Sequence, residues 1–446
     1  MKTVAKVIAV FGVTILAHLA YAAISFPNTD GSGDISSAAA WDGTLPSATD
    51  DISISTNYYN NSPKIQYKAL ADASFSNMVV MTKRAMFDLT ENSPKISLAG
   101  LKVYGEVRYN DWQSSDASVT FMGGTWDLGG KMLATCNTAS GEDHRGNNRM
   151  VQFIDGAVVT NAGYVRVSYQ EFGHTLRFSG AGTRLYAANM DGFDYNTSGK
   201  SNAFEVVQGA KVSFSGFYKD TKGASVPSSD ARVWYRTLVS GENSSLTTDG
   251  LVSIGTYYGG CTLDVVDGAV VQVKGNDGIS VGNAQHSPDN TATVSNGTIT
   301  AKSLKVGYLG TTGGASGNTL VIAGETPRIE VTGTVTITNA STLAFTIPYG
   351  GFTAERPLMT CASLYVSDDS QIEFRGLPSI GHVRDFPDKM TLVQAVNTLA
   401  VSESQVATLN EQLEAEGLKS LRVRIEDTGT RLVLEVCRGG LCIVIR

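Results

Sequence analysis

A short unit that returns along the chain constrains this fold more than any other feature. Leu251-Val-Ser-Ile-Gly255 leads to Cys261-Thr-Leu-Asp-Val-Val-Asp-Gly268-Ala-Val-Val. Ile279-Ser-Val-Gly282 leads to Asn290-Thr-Ala-Thr-Val-Ser-Asn-Gly297-Thr-Ile-Thr, and Leu304-Lys-Val-Gly307 leads to Asn318-Thr-Leu-Val-Ile-Ala-Gly324. Gly255, Gly282 and Gly307 are 27 and 25 residues apart, and Gly268, Gly297 and Gly324 are 29 and 27 apart. Weaker copies lie upstream at Ser118–Gly123, Val151–Gly156, Thr175–Gly180 and Ala203–Gly209, so the period is 25 to 33 residues.

Each unit reads as two or three short strands. Apolar and polar residues alternate, as in Thr262-Leu-Asp-Val, and Val, Ile, Thr and Phe are abundant. Asp-Gly or Asn-Gly then supplies a tight turn with positive φ. One such unit cannot bury its own apolar face, whereas stacked units can, with strand hydrogen bonds running from coil to coil. The expectation is an all-β chain, a right-handed parallel β-helix (β-solenoid). A propeller blade needs about 40 residues and four strands, more than this period supplies.

The two ends differ from the repeats. Residues 23–60, with Trp41-Asp-Gly-Thr-Leu-Pro46, read as an N-terminal capping segment, and 61–387 as the solenoid. Residues 388–446 read as a small α+β cap. A strand begins at Thr391, and Ser402 with Gln405 forms a capping box. Val406, Leu409 and Leu413 share one helical face, and Leu421–Ile425 and Leu432–Val436 form a hairpin. The helix is expected across the open end of the last coil, where an exposed edge needs protection.

Lys2 and Lys6, the apolar run Val7–Ala20 and the small-x-small site Ala20-Tyr21-Ala22 make residues 1–22 a signal peptide. The run is shorter than the roughly 20 residues of a membrane span, and no later stretch approaches that length. The expected chain is exported, to the extracellular space, cell surface or periplasm. Without Lys2 and Lys6, 33 basic residues face 42 acidic ones, a balance of −9. Dispersed acidity excludes nucleic acid, which requires clustered Lys and Arg, and disfavours anionic membranes. With 42% hydrophobic and 17% charged residues the chain is no disordered polymer.

Five cysteines, Cys136, Cys261, Cys361, Cys437 and Cys442, are too few for a disulfide scaffold. Cys437-Arg-Gly-Gly-Leu-Cys442 is the one spacing that suggests a bond; the other three read as single buried thiols. No Cys/His cluster has zinc spacing, and no metal or cofactor is expected.

The Val-x-Asp-Gly-Ala-x-Val units, the Trp-Asp-Gly-x-Leu-Pro opening and the closing Gly-Leu-Cys-Ile-Val-Ile-Arg resemble secreted bacterial β-helix repeat proteins. The units are similar to passenger repeats of autotransporter-type adhesins, over most of residues 31–446. The resemblance implies a β-helix displayed outside the cytoplasm and carries over no catalytic residue. Residues 388–446 are too short for a membrane β-barrel of many alternating strands, so self-translocation is not expected.

Because parallel β-helices include sugar-cleaving enzymes, polar clusters are the first candidates for chemistry. Glu142, Asp143, His144 and Arg145, with Arg149, offer an acid, an imidazole and guanidiniums; bracketed by Gly141 and Gly146, they read as a solvated loop. Asp191-Gly-Phe-Asp194-Tyr-Asn196 and Asn28-Thr-Asp30-Gly-Ser-Gly-Asp34 read as Asx turns rather than Ca²⁺ loops. His174, His286 and His382 read as single surface histidines. Tyr257, Tyr258 and Tyr308 fall in corresponding turns and are the candidate sugar-stacking row. The chain is expected to be a non-enzymatic surface or envelope module, adhesin-like, that binds an extracellular glycan or cell-surface protein. The alternative is a polysaccharide lyase or glycosidase.

Overall fold

The computed structural model describes residues 24–25, 32–55, 65–81, 84–104, 117–135, 149–169, 173–194, 202–220, 235–256, 259–283, 287–307, 316–349, 356–377, 386–426 and 428–437. The chain winds into a parallel β-solenoid. One face is a 13-stranded sheet to which each coil gives one strand, from Ser32–Asp34 to Gln371–Arg375. Most other strands form a 21-stranded sheet that wraps two further faces, and Ser168–Tyr169 pairs separately with Phe193–Asp194. In Val158–Arg166, for example, Val158–Thr160 pair with Thr125–Asp127, and Tyr164–Arg166 pair with Met132–Ala134. Register shifts at the bend, as between Val159 and Ala162, let one strand serve both faces.

The repeat alignment is the coil register. Val265 pairs with Val294 and Val294 with Ile322, and all three are wholly buried. The alternate position stacks Leu263, Ala292 and Leu320, also inside. The upstream copies are likewise rungs of the 13-stranded sheet, at Ala117–Met122, Arg149–Ile154, Thr175–Ser179 and Asn202–Val207. Burying one such aliphatic side chain contributes roughly 1.5–3 kcal/mol, and one continuous core runs from Ile35 to Leu434.

Two local devices explain the recurring Gly, Asp and Asn. Asp267 and Gly268 hold φ of 57° and 83°, turning the chain from the 13-stranded sheet onto the next face rather than into a hairpin. At the opposite corner, Gly282 has φ +76°, and a Cβ there would lie 2.4 Å from Cγ of Asn318 in the following coil. That asparagine is wholly buried, and its Oδ1 accepts from the Asn290 backbone N–H and Nδ2, each at 3.0 Å. Glycine is needed for both backbone geometry and clearance.

The parallel ladder already includes Ile24–Ser25 and Ser32–Asp34, within residues 23–60. Trp41 is buried there against Phe75, 5.9 Å between rings, and donates Nε1–H to the Ile35 carbonyl at 2.9 Å. At the other end Lys389–Ala400 pairs in parallel with Met359–Val366, and antiparallel with Arg431–Val436. Helix α1 (Glu403–Ala415) starts at the expected capping box. Gln405 N–H donates to Ser402 Oγ at 3.2 Å, and Ser402 N–H donates to Gln405 Oε1 at 2.9 Å. Leu409 and Leu413 are buried beneath it, and Val406 partly so. Gln405 Nε2 donates to the Ser367 and Ser370 carbonyls, and Gln412 Oε1 accepts the Phe374 N–H at 2.9 Å. The helix thus covers the final strand of the 13-stranded sheet.

Two expectations are corrected. His174 is wholly buried, not on the surface; it enters the strand Thr175–Ser179, and its N–H donates to Asn202 Oδ1 at 2.7 Å. Asp191 and Asp194 lie in paired strands rather than Asx turns: Asp191 opposes Lys219, and Asp194 opposes Tyr169. Asp34, by contrast, does form the turn, accepting the Ser36 N–H at 2.9 Å.

Candidate functional surface

Outward side chains of a solenoid line up in columns because each coil repeats the last. On the third face, Met132, Tyr164 and Asn189 occupy one column by direct pairing. Phe217 and Leu251 continue it, each immediately before the paired residues Met190–Tyr218 and Tyr218–Val252. Tyr164 is 36% exposed, and Met132, Phe217 and Leu251 are half-buried. The Tyr164 and Phe217 rings stand 6.5 Å apart at 75°, reaching across Asn189. Lys219 places its ammonium 4.5 Å from the Phe217 ring centre, a cation–π contact. Asn189 Oδ1 accepts the Phe217 backbone N–H at 3.0 Å, which fixes the strand beneath the rings.

The inward residues of that strand anchor it. Phe217-Tyr218-Lys219-Asp220 alternates out, in, out, in, and both Tyr218 and Asp220 are wholly buried. The Tyr218 hydroxyl bonds Thr237 Oγ1. Asp220 accepts the Gly255 N–H at 2.7 Å and the Thr256 N–H at 3.4 Å, stapling the next coil. Burial drives the Tyr218 phenol pKa up, and the Cys261 thiol likewise rises through burial and then the nearby Asp220 carboxylate. Cys261 and Cys361 are buried thiols outside any disulfide, as expected, and Cys136 lies outside the described residues. Burial pushes Cys361 up to about 11, so neither offers a thiolate nucleophile near neutrality.

Several outer carboxylates are tied to cations or hydroxyls. Arg177 Nε meets Glu205 at 2.6 Å and Arg236 Nε meets Asp264 at 3.0 Å, both along the 13-stranded sheet. The Lys95 ammonium, 2.7 Å away, and the Asn161 amide hold the Asp127 carboxyl below its usual range. The Thr90 hydroxyl does so for Asp88, and Arg424 does so for Glu435. A general acid needs the opposite shift. Among the described residues no group of three His, Cys, Asp or Glu is placed to hold a metal ion.

Tyr257, Tyr258 and Tyr308 lie outside the described residues, as do Glu142, Asp143, His144, Arg145, His286 and His382. Cys437 is disulfide-bonded, and Cys442 lies outside the described residues. The Tyr164–Phe217–Lys219 cluster was not legible from spacing. Its signal would have been a third-face column of residues 164, 189 and 217, which the bend in each strand conceals. Compared with protein-family models, curated proteins and solved structures, the chain matches none.

Proposed function

We propose that this chain is exported and acts without catalysis, as an adhesin-like or envelope structural module. Its solenoid presents an outer face to an extracellular glycan or a cell-surface protein. The observation that carries this reading is the outward Tyr164–Phe217–Lys219 cluster, whose Phe217 and Lys219 stand beside inward residues hydrogen-bonded into the core. Rigid aromatic side chains on a preformed scaffold bind with little ordering cost.

The test pairs a glycan array and intact-cell binding with a screen for released reducing sugar, using the full exported chain. Retention on glycans or cells with no sugar release is expected; chain-dependent release from any polysaccharide overturns the non-catalytic reading. N-terminal sequencing of the exported protein should begin at Ala23. A protein starting at Met1 overturns cleavage at Ala22.

A further inference from the structure

We propose that the Tyr164–Phe217–Lys219 cluster is a subsite for a neutral polysaccharide chain lying along the solenoid axis; this rests on the binding reading above and gives it a place and a ligand class. Three features of the cluster point there.

The first is shape. Tyr164, Asn189 and Phe217 come from three successive coils. Neighbouring parallel strands are about 4.8 Å apart, so the column from Tyr164 to Phe217 extends about 10 Å along the axis. That is an elongated strip one side chain wide, matched to a narrow linear ligand. A stable protein interface removes about 800 Å² from each partner, and here only Tyr164 stands clear, with Met132, Phe217 and Leu251 half-buried beside it.

The second is chemistry. A pyranose has an apolar C–H face and an equatorial rim of hydroxyls. The exposed Tyr164 ring suits the face. The Tyr164 hydroxyl and the Lys219 ammonium, which retains N–H donors while resting on Phe217, suit the rim.

The third is charge. The column beside the rings runs Arg166, Asp191, Lys219, with Arg166 next to Ala134 and Asp191 opposite Lys219. By residue type these register positions alternate in sign, so the sequence of this column supplies no run of one charge to draw an anionic or cationic polymer. A neutral glycan fits that balance.

Affinity electrophoresis of the full chain, through gels holding a neutral β-glucan, a neutral galactomannan or polygalacturonate, tests the assignment. The wild type should be retarded by at least one neutral polymer and not by polygalacturonate. Tyr164→Ala combined with Phe217→Leu, which keeps apolar bulk but removes the second ring, should weaken retardation about tenfold. Tyr186→Ala removes a 44%-exposed tyrosine from the second face and should leave it unchanged. Unfolding midpoints of all variants, measured alongside, separate lost binding from lost fold; if the double variant unfolds early, Tyr164→Ala alone carries the test. Retardation that survives loss of the rings, preference for polygalacturonate, or no retardation by either neutral polymer overturns the subsite. In each of those cases continued binding to cells leaves the surface-module reading standing, whereas sugar release removes that reading itself.

Discussion

The interior of the solenoid is filled in two ways. In the early coils, the central column of the 13-stranded sheet is Tyr67, Phe87, Phe121, Phe153 and Phe178. Their rings stack at 5.0, 5.0, 4.7 and 5.1 Å, with interplanar angles of 21° or less. The same column then continues as Val206, Val239, Val265, Val294 and Ile322. The strand spacing of about 4.8 Å is also a comfortable ring-stacking distance, so one ladder accepts either filling. At the change-over the aromatic ring moves rather than disappears: Leu176 and Phe178 give way to Phe204 and Val206. Core volume is conserved across the switch while side-chain identity is not.

The largest expected effect tests whether the aromatic coils carry more of the stability. Phe121 touches Phe87, Phe153 and Trp126, so Phe121→Ala should cost about 3–5 kcal/mol, and the matching truncation Ile322→Ala should cost less, at the low end of about 2–5 kcal/mol. Equal shifts in urea midpoint would erase the distinction between the two regions.

A second experiment sharpens what the aliphatic coils have in its place. Asn318→Ala strips the buried Asn290 N–H of its acceptor and should cost about 1–3 kcal/mol. Gly282→Ala should be comparably damaging, because its Cβ collides with Asn318 and its φ is strained. Combining the two relieves the collision, so the double variant should lose less than the sum of the singles. Strict additivity would mean that the two residues do not meet.

The closing segment adds local hydrogen bonds to its buried apolar residues. Ser402→Ala removes the helix cap and should cost about 1 kcal/mol, read from thermal unfolding; no change would show that Gln405 and Gln412 alone hold the helix. The smallest effect concerns pH. Arg424 grips Glu435 through two 2.7 Å bonds and lowers its pKa in the fold. The stabilisation is therefore present above the unfolded pKa and fades as pH falls through the folded one. The pair is partly exposed, so Glu435→Gln should remove only a few tenths of a kcal/mol of that acid-side slope. A slope that persists unchanged would assign it to other carboxylates.

The two fillings also explain what sequence could disclose. Coils between residues 251 and 324 announce themselves because Gly, Asn and aliphatic residues recur at matching positions. The rungs at Ile65–Lys68 and Arg84–Asp88 do not, since no Gly follows Tyr67 or Phe87 as Gly123, Gly156 and Gly180 follow Phe121, Phe153 and Phe178, and strand pairing reveals their equivalence. His174 read as a surface residue because it stands alone beside a turn at Gly173; its burial follows from the column it shares with Asn202. The Tyr164–Phe217 cluster stayed hidden because it is assembled across coils, at intervals set by bends and insertions.

The contact between Gly282 and Asn318 settles an ambiguity that the alternating pattern leaves open. A strand slid by one residue turns its apolar side chains outward and is rejected. A strand slid by two keeps every apolar residue inside and would satisfy hydrophobicity as well as the native arrangement does. Only the native alignment sets the Asn318 amide against a residue with no Cβ while its oxygen reaches the Asn290 N–H. Repeated where Gly255 meets Asn290, that pairing is the mark by which these aliphatic coils find their place on one another.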